Sequence, residues 1–418
     1  MKRAIVHVVG AGVSGLAAAR ALVASGQCGV VVHEAKPYAG GRRRSFHDEA
    51  LGLDVDTGNF PLLSCWTSAL SLIDAAGARG EWREETKPGL AFADLLSGER
   101  WRIRPNSGRL PWWILDPKRR GPGLTFADYW SATRLLSAPQ DATVASLAPR
   151  SGTAMERLWR PLALAALNCG PEAGSARLAG AVLREIACAG GAGTRLIAPV
   201  RTFGRAFTEP LTRRLARDGA VIRLERKLMG LDKGADRLEG LEFEHDRVDL
   251  GPHDGAILAM PGPAAADLVP GMDAPWGVSA SLTVHFAVPP PHGAPMVQGV
   301  LNGAFHWLFC YPDRMSVTIK DAGARINQPR PEIAEECWRG VAALTGLSDD
   351  SPAWRVVRSR RANILATPEE SARRPACRTR WRNLFLAGGY VSGALPDSIE
   401  AAARAGEAAA RAWLMGGL

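Results

Sequence analysis

Gly10, Gly12 and Gly15 follow the apolar run Ala4-Ile5-Val6-His7-Val8-Val9 and open an alanine- and leucine-rich stretch, and an acid, Glu34, stands nineteen residues beyond Gly15. A strand, a G-x-G-x-x-G turn, a helix and a carboxylate about 20 residues on are the parts needed to hold an adenosine dinucleotide. Gly10 permits the tight turn, Gly12 lets the backbone approach a pyrophosphate, and Gly15 lets the helix pack close to the strand. Ala11 and Ser14 complete that turn. The helix N-terminus, with free N–H groups and roughly +0.5 of charge, favours a diphosphate there. Glu34, followed by Ala35, would accept hydrogen bonds from ribose hydroxyls, and its charge disfavours the 2′-phosphate of NADP. These residues leave NAD and FAD both open.

Beyond Glu34 the chain continues AKPYAGGRRRSF and then LDVDTGNFPLL. With Gly40-Gly41-Arg42 so placed, it resembles the flavin-containing amine oxidase and phytoene desaturase superfamily. The resemblance implies FAD, with Arg42 reaching the diphosphate and Asp56-Thr57-Gly58-Asn59 forming the turn beside the flavin ring. A guanidinium suits a fixed diphosphate because its donors are planar and permanently charged. Arg43 and Arg44 read as a solvated basic loop. The stretch NLFLAGGYVSGALPDSIEAAARAG, 383–406, resembles the closing FAD motif of the superfamily: a strand ending at Gly388-Gly389, then a helix whose N–H groups near Ser398 and Ile399 would stabilise a reduced, anionic flavin. Relatives usually carry Asp after the Ala-Gly pair, in contact with FAD, and this chain has Gly389. RLERKLMGL resembles the mid-chain strand whose backbone, at Leu228, would meet the adenine.

The stretch ERLWRPLALAALNCGPEAGSARLAGAVLREI, 156–186, resembles more narrowly the squalene-associated flavoprotein family, the bacterial hydroxysqualene dehydroxylases. That resemblance implies an apolar triterpenoid substrate, reductive removal of its hydroxyl to give squalene for hopanoid synthesis, and an electron donor that the sequence does not identify. Trp159, Leu162 and Leu167 are then substrate-contact candidates, although a core role serves them equally. Asn168 ends an apolar helical run and needs partners if buried; it either caps a turn before Pro171 or faces the active site. Asn168, Asp397 and Tyr390 are the candidate catalytic groups, since each falls in or beside an active-site segment. Carotenoid desaturation, amine oxidation, or flavin-free carriage of a prenyl lipid are the alternatives.

The elements that must position these residues imply an α/β fold: a Rossmann-like FAD-binding domain, glutathione-reductase-like and of amine oxidase type, with an inserted α+β substrate domain. The first is expected from residues 1–70, 195–265 and 365–418, the second from 71–194 and 266–364. From about Thr67 to Gly190 the pattern reads as mainly helical; residues 278–320 read as strands and 331–346 as a helix. The chain has 418 residues, long for one core. Its seven cysteines form no CxxC pair and its eight histidines no HExxH, so neither a zinc site nor a disulfide framework is expected. The net charge of +9 comes from scattered basic residues without a nucleic-acid motif. Without a signal peptide or a spanning segment, a cytoplasmic protein is expected. LPWWILDPKRRG, 110–121, joins interfacial tryptophans to a basic group and offers peripheral contact with membrane lipid, or else a core segment with a solvated loop.

Overall fold

The computed structural model describes residues 3–148 and 152–416. Strand Ile5–Val9, apolar except for His7, lies in the middle of a five-stranded sheet, where both faces are covered. The spatial order is Val221–Arg223, Gly29–His33, Ile5–Val9, Gly255–Leu258 and Leu384–Leu386, with every pairing parallel. Segments far apart in the chain thus end at one edge, where the glycine turn and the residues after Leu386 meet. Helix Val13–Ser25 packs against helix Ile399–Gly416 closely enough that a Cβ on Gly406 would lie 2.1 Å from the Ser14 carbonyl oxygen.

A second sheet has seven strands, ordered Trp354–Ile364, Val278–Phe286, Met315–Ile319, Trp307–Cys310, Val297–Leu301, Leu90–Asp94 and Arg100–Ile103. Helix Arg330–Thr345 buries Ile333, Cys337, Trp338 and Val341 in the core that Phe286 and Val317 share. A layer of short helices has its own core of Leu135, Val144, Trp159, Leu167 and Leu178. A smaller antiparallel sheet, Leu228–Lys233, Leu238–Phe243 and Arg247–Asp249, packs its leucines against Val9 and Leu258.

One sequence expectation needs correction. Residues 67–190 are not mainly helical from the start: Trp82–Glu84, Leu90–Asp94 and Arg100–Ile103 are strands, the last two forming a hairpin on the edge of the large sheet. Burial does not alternate along Leu90–Asp94, and Val297–Leu301 pairs with it in parallel along its other edge. No helix among the described residues is long and apolar enough to cross a membrane. Cys188 is exposed and Cys377 half-buried, while the other five cysteines are buried thiols.

Candidate flavin site

The glycine turn is tied at both ends. Gly10 has φ +112° and donates its N–H to the His33 carbonyl at 2.7 Å, which sets Glu34 beside the turn. A Cβ on Gly15 would lie 1.8 Å from the Gly10 carbonyl oxygen, so only glycine allows the helix to start so close. The Glu34 carboxylate accepts the N–H groups of Ala11 at 2.8 Å and Lys36 at 3.0 Å. Helix Val13–Ser25 starts at Gly12 with no side-chain cap and no acid in its first turn, and Val13, Ser14 and Gly15 are buried. An uncapped, buried helix start leaves N–H groups for an outside acceptor, which fits a diphosphate.

The second loop sits directly on the first. Gly40 donates to the Ala11 carbonyl at 2.9 Å, and Gly41, at φ +60°, approaches Gly12 backbone to backbone. This brings Arg42 over the helix start. Both of its terminal nitrogens donate to the Asp397 carboxylate, at 2.5 and 2.8 Å, a partner that the sequence reading, which had Arg42 reaching a diphosphate, did not assign. Asp397 also accepts the Ile364 N–H at 3.1 Å. Burial alone would raise this carboxyl, but the charge and hydrogen bonds of Arg42 more than offset it and hold it at about 2.

Gly389 explains why Asp397 is there. A Cβ on Gly389 would fall 1.8 Å from Asp397 Oδ1, so the 397 carboxylate occupies the space that an aspartate at 389 would enter. A carboxylate thus lies beside Gly389 although it belongs to a residue eight positions later. Arg374 donates to the Gly389 carbonyl at 2.8 Å, and Leu178, Ile364 and Leu365 wall a small cavity beside this pair.

Arg43 departs from its expected place. It is buried, 8% exposed, with its guanidinium 5.8 Å from the Phe60 ring centre, so it is not part of a solvated loop. Burial and the adjacent positive Arg42 push it down to about 10. It packs over the Phe60 ring, sixteen residues beyond the arginine run, which the run itself does not reveal. Arg44, half-buried, donates to the Tyr38 hydroxyl at 2.5 Å and stacks on its ring.

Strand Met315–Ile319 delivers Lys320, a residue the sequence reading did not single out. Its ammonium donates to Asn168 Oδ1 at 2.8 Å, and the Asn363 amide donates to the same oxygen at 3.1 Å. Burial and the nearby positive Arg43 lower Lys320 to about 8, against the partial pull of Asp397. Asn168 takes the capping role that the sequence offered, and its side chain is also partnered. It ends helix Arg160–Leu167 in the left-handed conformation, φ 59°, while its side chain faces Lys320 and its carbonyl accepts the Ser279 hydroxyl at 2.8 Å.

The remaining candidates fall outside this cluster. Tyr390 lies in the core of the nucleotide half, its ring over Gly262 and Gly388 and its hydroxyl 3.4 Å from the Leu258 carbonyl; burial pushes the phenol up. Trp159 and Leu167 are inside the helical core and Leu162 lies on its rim. Asn59 spends its amide on the large sheet, donating to Ser316 and Thr318 at 3.0 and 2.9 Å and accepting from Tyr311 at 3.0 Å. That anchors the 56–59 turn, with half-buried Gly58, between the layers. Asp56 is buried and pushed up to about 7, although Ser45 and the Phe203 N–H bond to it. Ser398 caps the closing helix by accepting the Ala401 N–H at 3.1 Å, beside buried Ile399. Leu228 is buried at the start of its strand. Two histidines, His7 and His33, meet at 3.0 Å, and burial lowers them to about 4 and 3.

Residues 13–414 match the family model described as flavin containing amine oxidoreductase. The chain is 41% identical over 405 residues to hydroxysqualene dehydroxylase of Sinorhizobium fredii, covering 97% of each chain. It is 40% identical to hydroxysqualene dehydroxylase of Rhodopseudomonas palustris, again over 97% of each. In fold it is similar to the crystal structure of cyclohexylamine oxidase from Brevibacterium oxydans, with a TM-score of 0.70, 16% identity and 98% of both chains covered. The Rossmann-type half and these likenesses agree: the chain belongs to the flavin-containing amine oxidoreductase family and, within it, to the group of the hydroxysqualene dehydroxylases.

Proposed function

We propose that this protein is an FAD-dependent oxidoreductase that replaces the hydroxyl of hydroxysqualene by hydrogen, giving squalene for hopanoid or related triterpene synthesis. The observation that carries this reading is the contact of Lys320 with Asn168, linked through Asn363 and its neighbour Ile364 to the Arg42–Asp397 pair, in a chain so similar over its length to hydroxysqualene dehydroxylases. Gly10 to Gly15 and Glu34 supply the seat for the adenosine and diphosphate, and Arg42 with Asp397 the charged pair beside the flavin. FAD, when bound and reduced, supplies the hydride.

The protein's own part is to move one proton and exclude water. The allylic C–O bond breaks as the Lys320 ammonium gives its proton to the departing hydroxyl, which leaves as water. Reduced FAD, if bound, would supply the hydride and its two electrons for the new C–H bond at the same carbon, and Lys320 is reprotonated from solvent. Asn168 is a positioning residue that aims the ammonium. Asp397, held ionised near 2, has no proton to give at neutral pH and serves to fix Arg42. Leu178, Ile364 and Leu365 wall a small cavity beside Asp397, and a delocalised cation requires apolar surroundings of this kind if water is not to restore the alcohol. An external donor re-reduces the flavin, and the protein works in the cytoplasm at the inner face of the membrane, where such a substrate partitions.

Anaerobic stopped-flow with the pre-reduced enzyme tests the reaction. Hydroxysqualene is expected to reoxidise the flavin in a single turnover with squalene as product, and unchanged flavin absorbance refutes it. Turnover of phytoene or amines instead assigns the chain to desaturation or amine oxidation, and a colourless purified protein to a carrier.

A further inference from the structure

Six large apolar side chains stand in water within 27 residues: Leu110, Trp112, Leu115, Phe126, Trp130 and Leu136. Leu110 is 79% exposed and Trp130 58%. They form one face because the two segments that carry them are joined from behind. Trp113, half-buried, meets Tyr129 edge-on with ring centres 5.0 Å apart, and the Tyr129 hydroxyl accepts the Gly121 N–H at 3.3 Å. Phe126 and Trp130, one helical turn apart, stack at 5.5 Å on the outer side. A monomeric protein rarely shows water so many large apolar groups together.

The charge around them has one sign. Residues 104–136 hold six arginines and lysines against two aspartates. Of the two acids, Asp128 is consumed in capping its own helix through Thr125, and Asp116 is paired with Arg119 at 3.5 Å. Arg109, Lys118 and Arg134 remain exposed. The Arg119 guanidinium lies 4.4 Å from the Trp112 ring centre, placing a cation directly beside an outward tryptophan. Tryptophans at the level of headgroups, aliphatic and aromatic groups beneath them, and basic side chains reaching out to phosphate make up an interfacial anchor.

We infer that this face, built from Leu110–Leu115 and Phe126–Leu136, docks on a bilayer of anionic phospholipid without crossing it. It extends the membrane-facing reading above by naming the surface and the lipid charge, and it uses no residue of the flavin site. The sequence stretch 110–121 contributes only half of it; Trp113 turns inward, and the second half comes from a helix pair whose aromatic residues look amphipathic and ordinary in sequence.

The full-length, flavin-loaded protein is mixed with vesicles of phosphatidylcholine alone or with an equal part of phosphatidylglycerol, and the bound fraction is read by co-sedimentation. Binding is expected to the anionic vesicles, to weaken as salt rises, and to be far lower on phosphatidylcholine alone. Trp112→Ser with Trp130→Ser should lower partitioning by about tenfold or more without changing the melting temperature, because both side chains are exposed. Lys118→Glu with Arg134→Glu should remove the preference for anionic lipid. Absence of binding by the wild type overturns the inference, as does a tryptophan double variant that binds equally well. A concentration-dependent dimer in sedimentation velocity that the tryptophan variant dissolves would assign the face to a second copy instead. If hydroxysqualene is turned over in detergent while vesicles are not bound, the surface fails and the reaction stands.

Discussion

Replacing Asp397 by Asn keeps the shape of the side chain and removes its charge, and the structure sets the size of the effect. The drop of the carboxyl from 3.8 to about 2 corresponds to about 2.5 kcal/mol of preference for the charged form in the folded protein. Asp397 is nearly inaccessible, but the Arg42 side chain is 36% exposed, so water recovers part of the loss when the pair is broken. We therefore expect Asp397→Asn to lower the unfolding free energy by about 2 kcal/mol, below the 3–5 kcal/mol typical of a fully buried pair. Because the folded carboxyl is depressed, its contribution is complete above pH 3.8 and is lost as the pH falls through about 2. The difference between wild type and variant in urea unfolding should accordingly be constant from pH 7 to 5 and shrink below pH 4. Flavin retention, read from the absorbance of the purified protein and by titration of the apoprotein, should fall in parallel. A second variant separates charge from packing. Gly389→Asp in the wild-type background collides with Asp397, whereas Gly389→Asp combined with Asp397→Gly moves the acid back to the position used by relatives and should regain flavin binding. Unfolding free energies within about 0.5 kcal/mol of wild type, with undiminished flavin affinity, would refute the role given to this pair. So would a double variant no better than Asp397→Asn.

Three further outcomes follow from the same geometry. Lys320→Met should abolish single-turnover flavin reoxidation by about a hundredfold or more while leaving the protein equally or more stable, since holding the ammonium at about 8 disfavours its charge by about 3 kcal/mol at neutral pH; in the wild type the rate should decline as pH rises through about 8, and a rate unchanged to pH 10 would exclude Lys320 as the proton donor. His7 and His33 are held neutral by burial at about 4 and 3, so stability should be complete above pH 6.5 and fall as the pH drops toward 4; His7→Phe should flatten that fall in urea unfolding, and an identical pH dependence would discount the pair. Gly15→Ala drives a Cβ to within 1.8 Å of the Gly10 carbonyl, so at least about 2 kcal/mol of stability and most of the bound flavin should be lost, as thermal melts and flavin absorbance would show; normal flavin content would contradict the tight turn.

Much of the nucleotide half was readable because its signals are local. A glycine turn, the strand before it and the helix after it are neighbours in the chain, and the carboxylate of Glu34 lies one strand further on, so spacing alone carries the geometry. The closing strand and helix were readable for the same reason. The hairpin at Leu90–Asp94 and Arg100–Ile103 was missed because its pairing partner, Val297–Leu301, is two hundred residues away and covers the edge that would have marked it.

By itself the sequence determined the strand, glycine turn and helix of residues 4–25 with an acid at 34, a closing strand and helix resembling those of flavoproteins, and the absence of an aspartate at 389. Only the tertiary structure decided which side chain occupies the space beside Gly389 and what Lys320 meets. Asp397 enters the space over Gly389 because the loop between strand Leu384–Leu386 and the last helix folds back on itself. Lys320 and Asn168, 152 residues apart, meet because a sheet strand and a helix end next to each other. Arg43 becomes buried with its guanidinium over the Phe60 ring. Charge in a protein interior is set by what packs around it from every direction, and a linear spacing records only the neighbours along the chain.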